Sequence, residues 1–560
     1  MNRPANSRAM SNAGSPGAIR FAAGVEVVTG RDGRTLLLGG SPLRMMRLTE
    51  AGARWVGDGT GIRSVTPGAV DRLAWRMIDA GIAVPVIDAV PAEADVMVEP
   101  AEPLRPVGPD ASGRIEGSGG TEGWGRAEDL TVVIPVRDRA DELDAALAAL
   151  ALDREAPRIV IVDDASDDPD AVASVAAAHG AAVVRLATNG GPAAARNAGL
   201  AHVDTPLIAF LDSDVVASPG WWRPLVALCR LDRVAVAAPR VAAAAERGTW
   251  GERYEAMSSP LDLGLVAAPI APGTRVAYVP AAALVARADA LRSVGAFDVS
   301  LRFGEDVDLW WRLADAGWRL RYEPAVIVHH RVRPTAREAW RQRVGYGGSA
   351  AALDRRHQRS VPAVRLTTRT AASAGALVAS PPLGAVVTAL AIADSARRLR
   401  AAGLPRASAA RRAIGAHVAQ IDAAIRALIR PWWPLTVALC IAMRLAGSRG
   451  RAGSAGRAGS RGRAGSRGRA GSPPCASAGL RRLAVAIAVQ RLVSWRRAAR
   501  RATGSATGRA TPGAAPGTRP LDPVTWSVLS VADDVAYSVG VWRGVVRERR
   551  LGPLAAELRN

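Results

Sequence analysis

Pro206-Leu-Ile-Ala-Phe-Leu-Asp-Ser-Asp214 is an apolar run that ends in two carboxylates one residue apart. A continuous apolar stretch of this length reads as a strand buried on both faces. Residues i and i+2 of a strand point the same way, so the tip would present Asp212 and Asp214 together, where a hard cation can bridge them to a diphosphate. An Asp-x-Asp triplet alone is common by chance; its place at the end of a buried strand gives it weight.

The sequence before it repeats the pattern. Leu130-Thr-Val-Val-Ile134 runs into Pro135, and Arg158-Ile-Val-Ile-Val162 runs into Asp163-Asp164. Ala182-Val-Val-Arg-Leu186 precedes Asn189-Gly-Gly-Pro192, a turn that opens a helix. Short apolar strands alternating with helices predict an α/β fold with a parallel sheet and ligands at the strands' carboxyl ends. The unit spans 129–357.

Four further groups offer chemistry around that edge. Asp163 and Asp164 could accept from a uracil ring N–H, from ribose hydroxyls, or from both, or simply cap a turn. The Asn189–Gly199 segment places free amides, Arg196 and Asn197 at a helix start, where phosphate is attracted. Asp214 reads as a direct metal ligand, and Asp212 as a ligand of ribose or metal. Glu305-Asp-Val-Asp-Leu-Trp-Trp-Arg-Leu313 opens an amphipathic helix whose positive end favours an ionised carboxylate. Asp306 is the candidate general base, although Glu305 or Asp306 could equally cap the helix. Trp310 and Trp311 are either a sugar platform or core. His329 and His330 follow a strand at Tyr322–Val328 and face opposite ways, so at most one can complete a metal shell with Asp214.

Outside this unit the texture changes. Residues 1–20 lack the apolar core of a secretory leader and are expected to form a disordered tail. Residues 21–87 predict a hairpin, Val25–Val28 with Thr35–Leu38, and two helices, one capped by Thr49 and one opening at Thr66-Pro67, a small winged-helix-like domain. Residues 88–128, rich in Pro, Gly and Glu, read as a linker. Residues 358–445 hold an uncharged stretch, Thr370–Ala393, interrupted by Pro381-Pro382, and a shorter one near Trp432-Trp433, together a helical, membrane-associated region. Residues 446–474 repeat Arg-Ala-Gly-Ser and are expected to lack structure. Residues 475–560 read as a C-terminal helical region.

The net charge of +22 over 560 residues would suggest nucleic acid, but its location argues otherwise. Between Arg355 and Pro520 stand 30 Arg against two acids, Asp394 and Asp422, which leaves the rest of the chain acidic. The positive region suits an anionic membrane surface on the cytoplasmic side better than a duplex. Three scattered cysteines form no metal spacing or disulfide framework.

In this order, the Asp-Asp, Asp-x-Asp and Glu-Asp elements between 129 and 357 resemble those of family 2 glycosyltransferases of the GT-A fold. Across the whole chain, Pro135-Val-Arg-Asp-Arg139, Gly191-Pro-Ala-Ala-Ala-Arg-Asn-Ala-Gly199, Ser259-Pro-Leu-Asp-Leu-Gly264 and Tyr278-Val-Pro280 are similar to the mycofactocin-system members of that family. Gly304-Glu-Asp-Val-Asp-Leu309, Tyr346-Gly-Gly-Ser349 and Asp533-Asp-Val-Ala-Tyr537 extend the match. The resemblance implies a nucleotide-sugar site that includes Pro135, Arg137, Gly191 and Ser213, and a divalent cation, Mg2+ or Mn2+. It implies inverting transfer of glucose from UDP-glucose to a mycofactocin-type peptide-derived acceptor in β-1,4-linked chains, and a peptide-recognition role for the N-terminal domain. A membrane transferase acting on a polyprenyl phosphate or a cell-wall glycan would use the same acids. No nucleic-acid partner is expected.

Overall fold

The computed structural model describes residues 14–30, 32–87, 127–244, 248–333, 335–357, 361–455, 475–503 and 519–559. Its centre is a mixed sheet. Ala182–Arg185, Arg158–Asp163, Leu130–Val136 and Leu207–Leu211 lie side by side and parallel, as the sequence pattern predicts. The sheet then departs from that expectation. Ala283–Arg287 pairs antiparallel with Leu207–Leu211 and with Val234–Ala244, which runs parallel to Arg319–Arg331. Val215–Ala217 closes that edge antiparallel to Arg319–Arg331. The long connection before Ala283, unlike a helical crossover, does not force a parallel return.

Each central strand is apolar on both faces and is covered on both. Val133, Val160, Ile208 and Phe210 pack against Phe297, Trp310 and Leu313 on one side. Val132, Ile134 and Ile161 pack against Leu143, Leu147 and Trp222 on the other. This two-sided burial turns the strand tips, rather than the strand faces, toward solvent and ligand.

The N-terminal unit contains the expected hairpin, Glu26–Thr29 with Thr35–Gly39, to which Arg44–Arg47 adds a third strand. Thr49 caps the helix Glu50–Val56, accepting from the Gly52 N–H at 3.2 Å. The second helix, Ala69–Asp79, starts after Gly68 rather than at Thr66-Pro67. A second sheet, unforeseen in the sequence, places Ala18–Phe21 between Ile62–Ser64 and Ala83–Pro85. Residues 18–20 of the expected tail belong to this strand instead, because Ile19 and Phe21 alternate into the core of this unit, and residues 1–13 lie outside the described residues. Nor is the unit free of the large sheet: buried Arg321 donates to the Ile78 carbonyl at 3.1 Å, and Arg319 pairs with Asp79 at 2.9 Å. Of the expected 88–128 linker, residues 88–126 lie outside the described residues.

The C-terminal region is helical. The uncharged Thr370–Ala393 stretch is two helices, Thr368–Ala379 and Pro381–Ala401, broken at Ser380 before the two prolines. They fold back so closely that a Cβ on Gly384 would come within 2.5 Å of the Leu377 backbone. Among the described residues no single helix is long and apolar enough to cross a membrane; Arg406–Ile429 with Trp433–Ala442 reaches that length only as a pair bent by 79°. Residues 446–455, expected to lack structure, continue the helix Trp433–Ala455, and 456–474 lie outside the described residues. Cys475–Ala502 and Pro523–Glu548 complete the region.

Pro523–Glu548 docks on the helix Ala336–His357 through glycines. A Cβ on Gly347 would lie 2.0 Å from the Tyr537 carbonyl oxygen, and one on Gly540 2.0 Å from that of Val344. Arg343 ties the pair further, bridging Asp533 and Glu255. Beyond it, Ala556–Arg559 pairs parallel with Val364–Thr367.

Candidate active site

The strand tips open onto a cavity of about 1440 Å3. Asp212, Ser213 and Asp214 stand on its wall at the end of Leu207–Leu211, held by the Asp212 N–H donating to the Ala282 carbonyl at 2.8 Å. The neighbouring strand supplies a partner. Val215 is in register with His330, which brings His330 Nε2 to 3.4 Å from Asp214 Oδ1. His329, next along the strand, projects to the other face and does not line the cavity. Arg139 closes an ion pair on Asp214 Oδ2, and Arg333 lies 3.8 Å from the same atom. Burial opposes ionisation of Asp214, but His330 and Arg139 prevail and hold its carboxyl down to about 2. Burial likewise opposes a charged His330, and the Asp214 carboxylate raises its imidazole above the ordinary value.

Asp212 turns to a different partner. Arg196 Nη2 donates to Asp212 Oδ1 at 2.7 Å, and Nη1 of the same buried guanidinium donates to Glu305 Oε1 at 3.2 Å. Among the described residues no group of three His, Cys, Asp or Glu side chains converges as a metal cluster. Asp214 and His330 nevertheless suit a divalent cation: an anionic oxygen and an imidazole nitrogen share the cavity wall. The remaining ligand positions would fall to oxygens of a bound diphosphate.

The second acidic element opens the helix Glu305–Asp315. Its N-cap is Gly304 at φ 80°, a conformation that favours glycine, so neither acid is the cap. Burial and the Asp306 charge push the Glu305 carboxyl up to about 7, against the pull of Arg196. Asp306 lies on the cavity wall, accepts from the Val307 N–H at 2.7 Å, and is raised by burial. Asp308 is a structural tie. It accepts from Arg312 at 2.8 Å and Arg356 at 2.8 Å and pairs with His357 at 2.9 Å. Burial opposes its charge, yet those partners hold it below the usual carboxylate range.

Several sequence assignments change. Trp310 is core: its indole N–H donates to the Val279 carbonyl at 2.7 Å and its ring stands edge-on to Phe297. Trp311 does line the cavity, with its N–H on the Ala277 carbonyl at 2.9 Å. Asn197 clamps the Phe297 backbone, accepting from its N–H and donating to its carbonyl, instead of facing phosphate. Asp163 is fully buried and accepts from the Ser166 N–H at 2.9 Å, as a turn-former. Asp164 does reach the cavity, but its oxygens accept from the Gly190 and Gly191 amides at 2.7 and 2.8 Å. The amides expected to hold phosphate are thus engaged within the chain. Pro135, Arg137 and Gly191 line the cavity, as does Arg196.

Sequence reasoning missed Arg139, although it closes the Pro135–Arg139 motif, and it missed three of the chain's five tyrosines, Tyr278, Tyr346 and Tyr537. Their scarcity in a chain this long was the available signal.

Residues 131–298 match the model of glycosyl transferase family 2. The chain is 34% identical over 538 residues to the pre-mycofactocin glycosyltransferase of Mycobacterium tuberculosis, covering 93% of this chain and 94% of that one. It is 32% identical over 209 residues to the succinoglycan biosynthesis protein ExoU of Rhizobium meliloti, 36% of this chain and 60% of the other. The mannosyltransferase PcManGT from Pyrobaculum calidifontis, solved with GDP-Man and Mn2+, overlaps 54% of this chain and 87% of its own. It is 18% identical to this chain, with a TM-score of 0.33.

Proposed function

The chain belongs to the mycofactocin-system family 2 glycosyltransferases, and from that premise we propose that it transfers glucose from UDP-glucose to a peptide-derived mycofactocin acceptor. The proposed product is a β-1,4-linked glucose chain formed with inversion. The observation that carries this reading is the division of labour along one cavity. Asp214 with His330 stands at the strand-tip part of the wall, and Asp306, on the Glu305–Asp315 helix, is a carboxylate with raised proton affinity.

In the proposed reaction Asp306 removes the proton from the acceptor hydroxyl, which attacks the anomeric carbon as the diphosphate departs. Asp214 and His330 would hold a divalent cation, Mg2+ or Mn2+, which would neutralise charge developing on the leaving diphosphate. Arg196 fixes Asp212 and Glu305, Glu305 keeps a proton to near neutrality, and Arg139 and Arg333 bring positive charge to the donor side. One base and no second positioned nucleophile favour direct displacement over a covalent intermediate.

The test is turnover of a panel of UDP-sugars with the peptide-derived acceptor, followed by the anomeric configuration of the product. Preference for UDP-glucose and a β-linkage are expected; a retained α-linkage would overturn the mechanism. We also propose that the N-terminal unit recognises the peptide portion of the acceptor, and that the Arg-rich C-terminal helices rest on the anionic cytoplasmic face of the membrane.

A further inference from the structure

Tyr278-Val-Pro280, Tyr346-Gly-Gly-Ser349 and Asp533-Asp-Val-Ala-Tyr537 have no part in the chemistry described so far, yet their tyrosines line one cavity. Tyr278 keeps 38% of its surface accessible on the cavity wall. Burial pushes its phenol up to about 12, with Tyr537 and Asp306, which line the same cavity, acting in the same direction. Burial also raises the phenol of Tyr346, whose charged neighbours include Asp306 and Tyr278. Phe303 stands edge-on to Tyr346 with ring centroids 6.0 Å apart, and Gly345 leaves room for its ring. Arg430 stacks on Tyr537 at 4.0 Å, bracing the ring. None of the three hydroxyls hydrogen-bonds to another described residue.

Aromatic faces with free phenols suit one ligand chemistry well. The rings stack on the C–H face of a sugar, and the hydroxyls exchange hydrogen bonds with its own hydroxyls. We propose that Tyr278, Tyr346 and Tyr537 form the acceptor subsite, which takes a neutral pyranoside and turns its nucleophilic hydroxyl toward Asp306. The C-terminal helix Pro523–Glu548 is then part of the binding site through Tyr537 and not only a brace. This assignment rests on the transfer reading above and adds where the acceptor lies.

The experiment titrates the full chain calorimetrically with 4-nitrophenyl β-D-glucopyranoside in the presence of UDP, and separately with UDP-glucose. Tyr346→Leu and Tyr537→Leu should each weaken the glucoside by about tenfold while leaving UDP-glucose within about twofold of wild type. Tyr278→Phe, which removes only a hydroxyl and preserves packing, should weaken it by about two- to fivefold. Thermal melts identify any variant that is unfolded, and Tyr278→Phe keeps the test open if the leucine variants are. Unchanged glucoside affinity in folded variants, equal loss of both ligands, or no glucoside binding by wild type would each overturn the proposal. Failure of the transfer reading looks different: wild type binds the glucoside but never turns over UDP-glucose.

Discussion

Arg196 and Glu305, 109 positions apart, meet as a buried ion pair with Nη1 3.2 Å from Oε1. The same guanidinium holds Asp212, so one side chain joins the tip of the Leu207–Leu211 strand to the start of the Glu305–Asp315 helix. Arg196→Leu should leave the Glu305 and Asp212 oxygens without their shared donor, at a cost of about 1–3 kcal/mol in urea unfolding. A loss below about 1 kcal/mol would show that solvent already reaches the pair.

The two acidic elements should separate kinetically. Asp306→Asn should leave UDP-glucose affinity near wild type and lower transfer by roughly 10²- to 10⁴-fold. Asp214→Asn should instead weaken cation-dependent donor binding, read by calorimetry with and without Mn2+. Near-normal transfer by Asp306→Asn would remove it as the base. Asp308, held by Arg312, Arg356 and His357, is a poor replacement, which leaves Glu305 to be tested next.

Proton linkage gives a prediction with a definite sign. The Glu305 carboxyl rises from its ordinary 4.5 to about 7 in the fold, so between those values the native chain binds more protons than the unfolded one. Stability should therefore fall as pH rises through that window. Glu305→Gln should flatten the slope in urea unfolding series. Transfer should be lost as pH drops through the raised Asp306 value, above the usual aspartate range. Arg196→Leu, which removes the cation that lowers Asp306, should move that acid limb to higher pH. Asp214, held down to about 2, stays charged throughout and contributes no step there.

The glycine seam between Ala336–His357 and Pro523–Glu548 should tolerate no side chain. Gly540→Val, whose Cβ would collide with the Val344 carbonyl, should cost about 1–3 kcal/mol or more by thermal unfolding. Wild-type stability in that variant would mean that the helices part easily.

The membrane reading has its own test. Leu383, Val386 and Leu390 on one helix and Leu435, Leu439 and Ile441 on another are exposed, in a region rich in arginine. The full chain should sediment with vesicles containing anionic lipid, and high salt should release only part of it. Complete release by salt would reduce the contact to charge alone. No binding would dismiss it.

Legibility followed the range of the interaction. Leu130–Leu211 was readable because buried strands and helices leave a local pattern, and Asp214 because it follows directly on the end of a buried strand; the parity expected to aim Asp212 and Asp214 together fails, because both lie in the turn after Leu211. The antiparallel return of Ala283–Arg287 was not, because it depends on a long connection without regular periodicity. Trp310 and Trp311 could not be told apart: adjacent helix positions differ by about 100°, and only the packing of Phe297 shows which one is core. Asn197 looked like a phosphate ligand because its true partner, Phe297, lies far away in sequence. The second N-terminal sheet was hidden because its strands are only three or four residues long.

Tyr537, Glu557 and Arg559 reach the cavity from segments made long after the candidate catalytic acids. A ribosome that has passed His357 has produced every candidate catalytic acid, but the nascent chain still lacks part of the enclosing wall. A premature stop codon ahead of Pro523 would thus encode an apparently intact set of acids around a pocket left open to water, where an activated sugar is exposed to hydrolysis. Genetic screens that judge a truncated allele by its surviving motifs would score it as functional, and its product would not be.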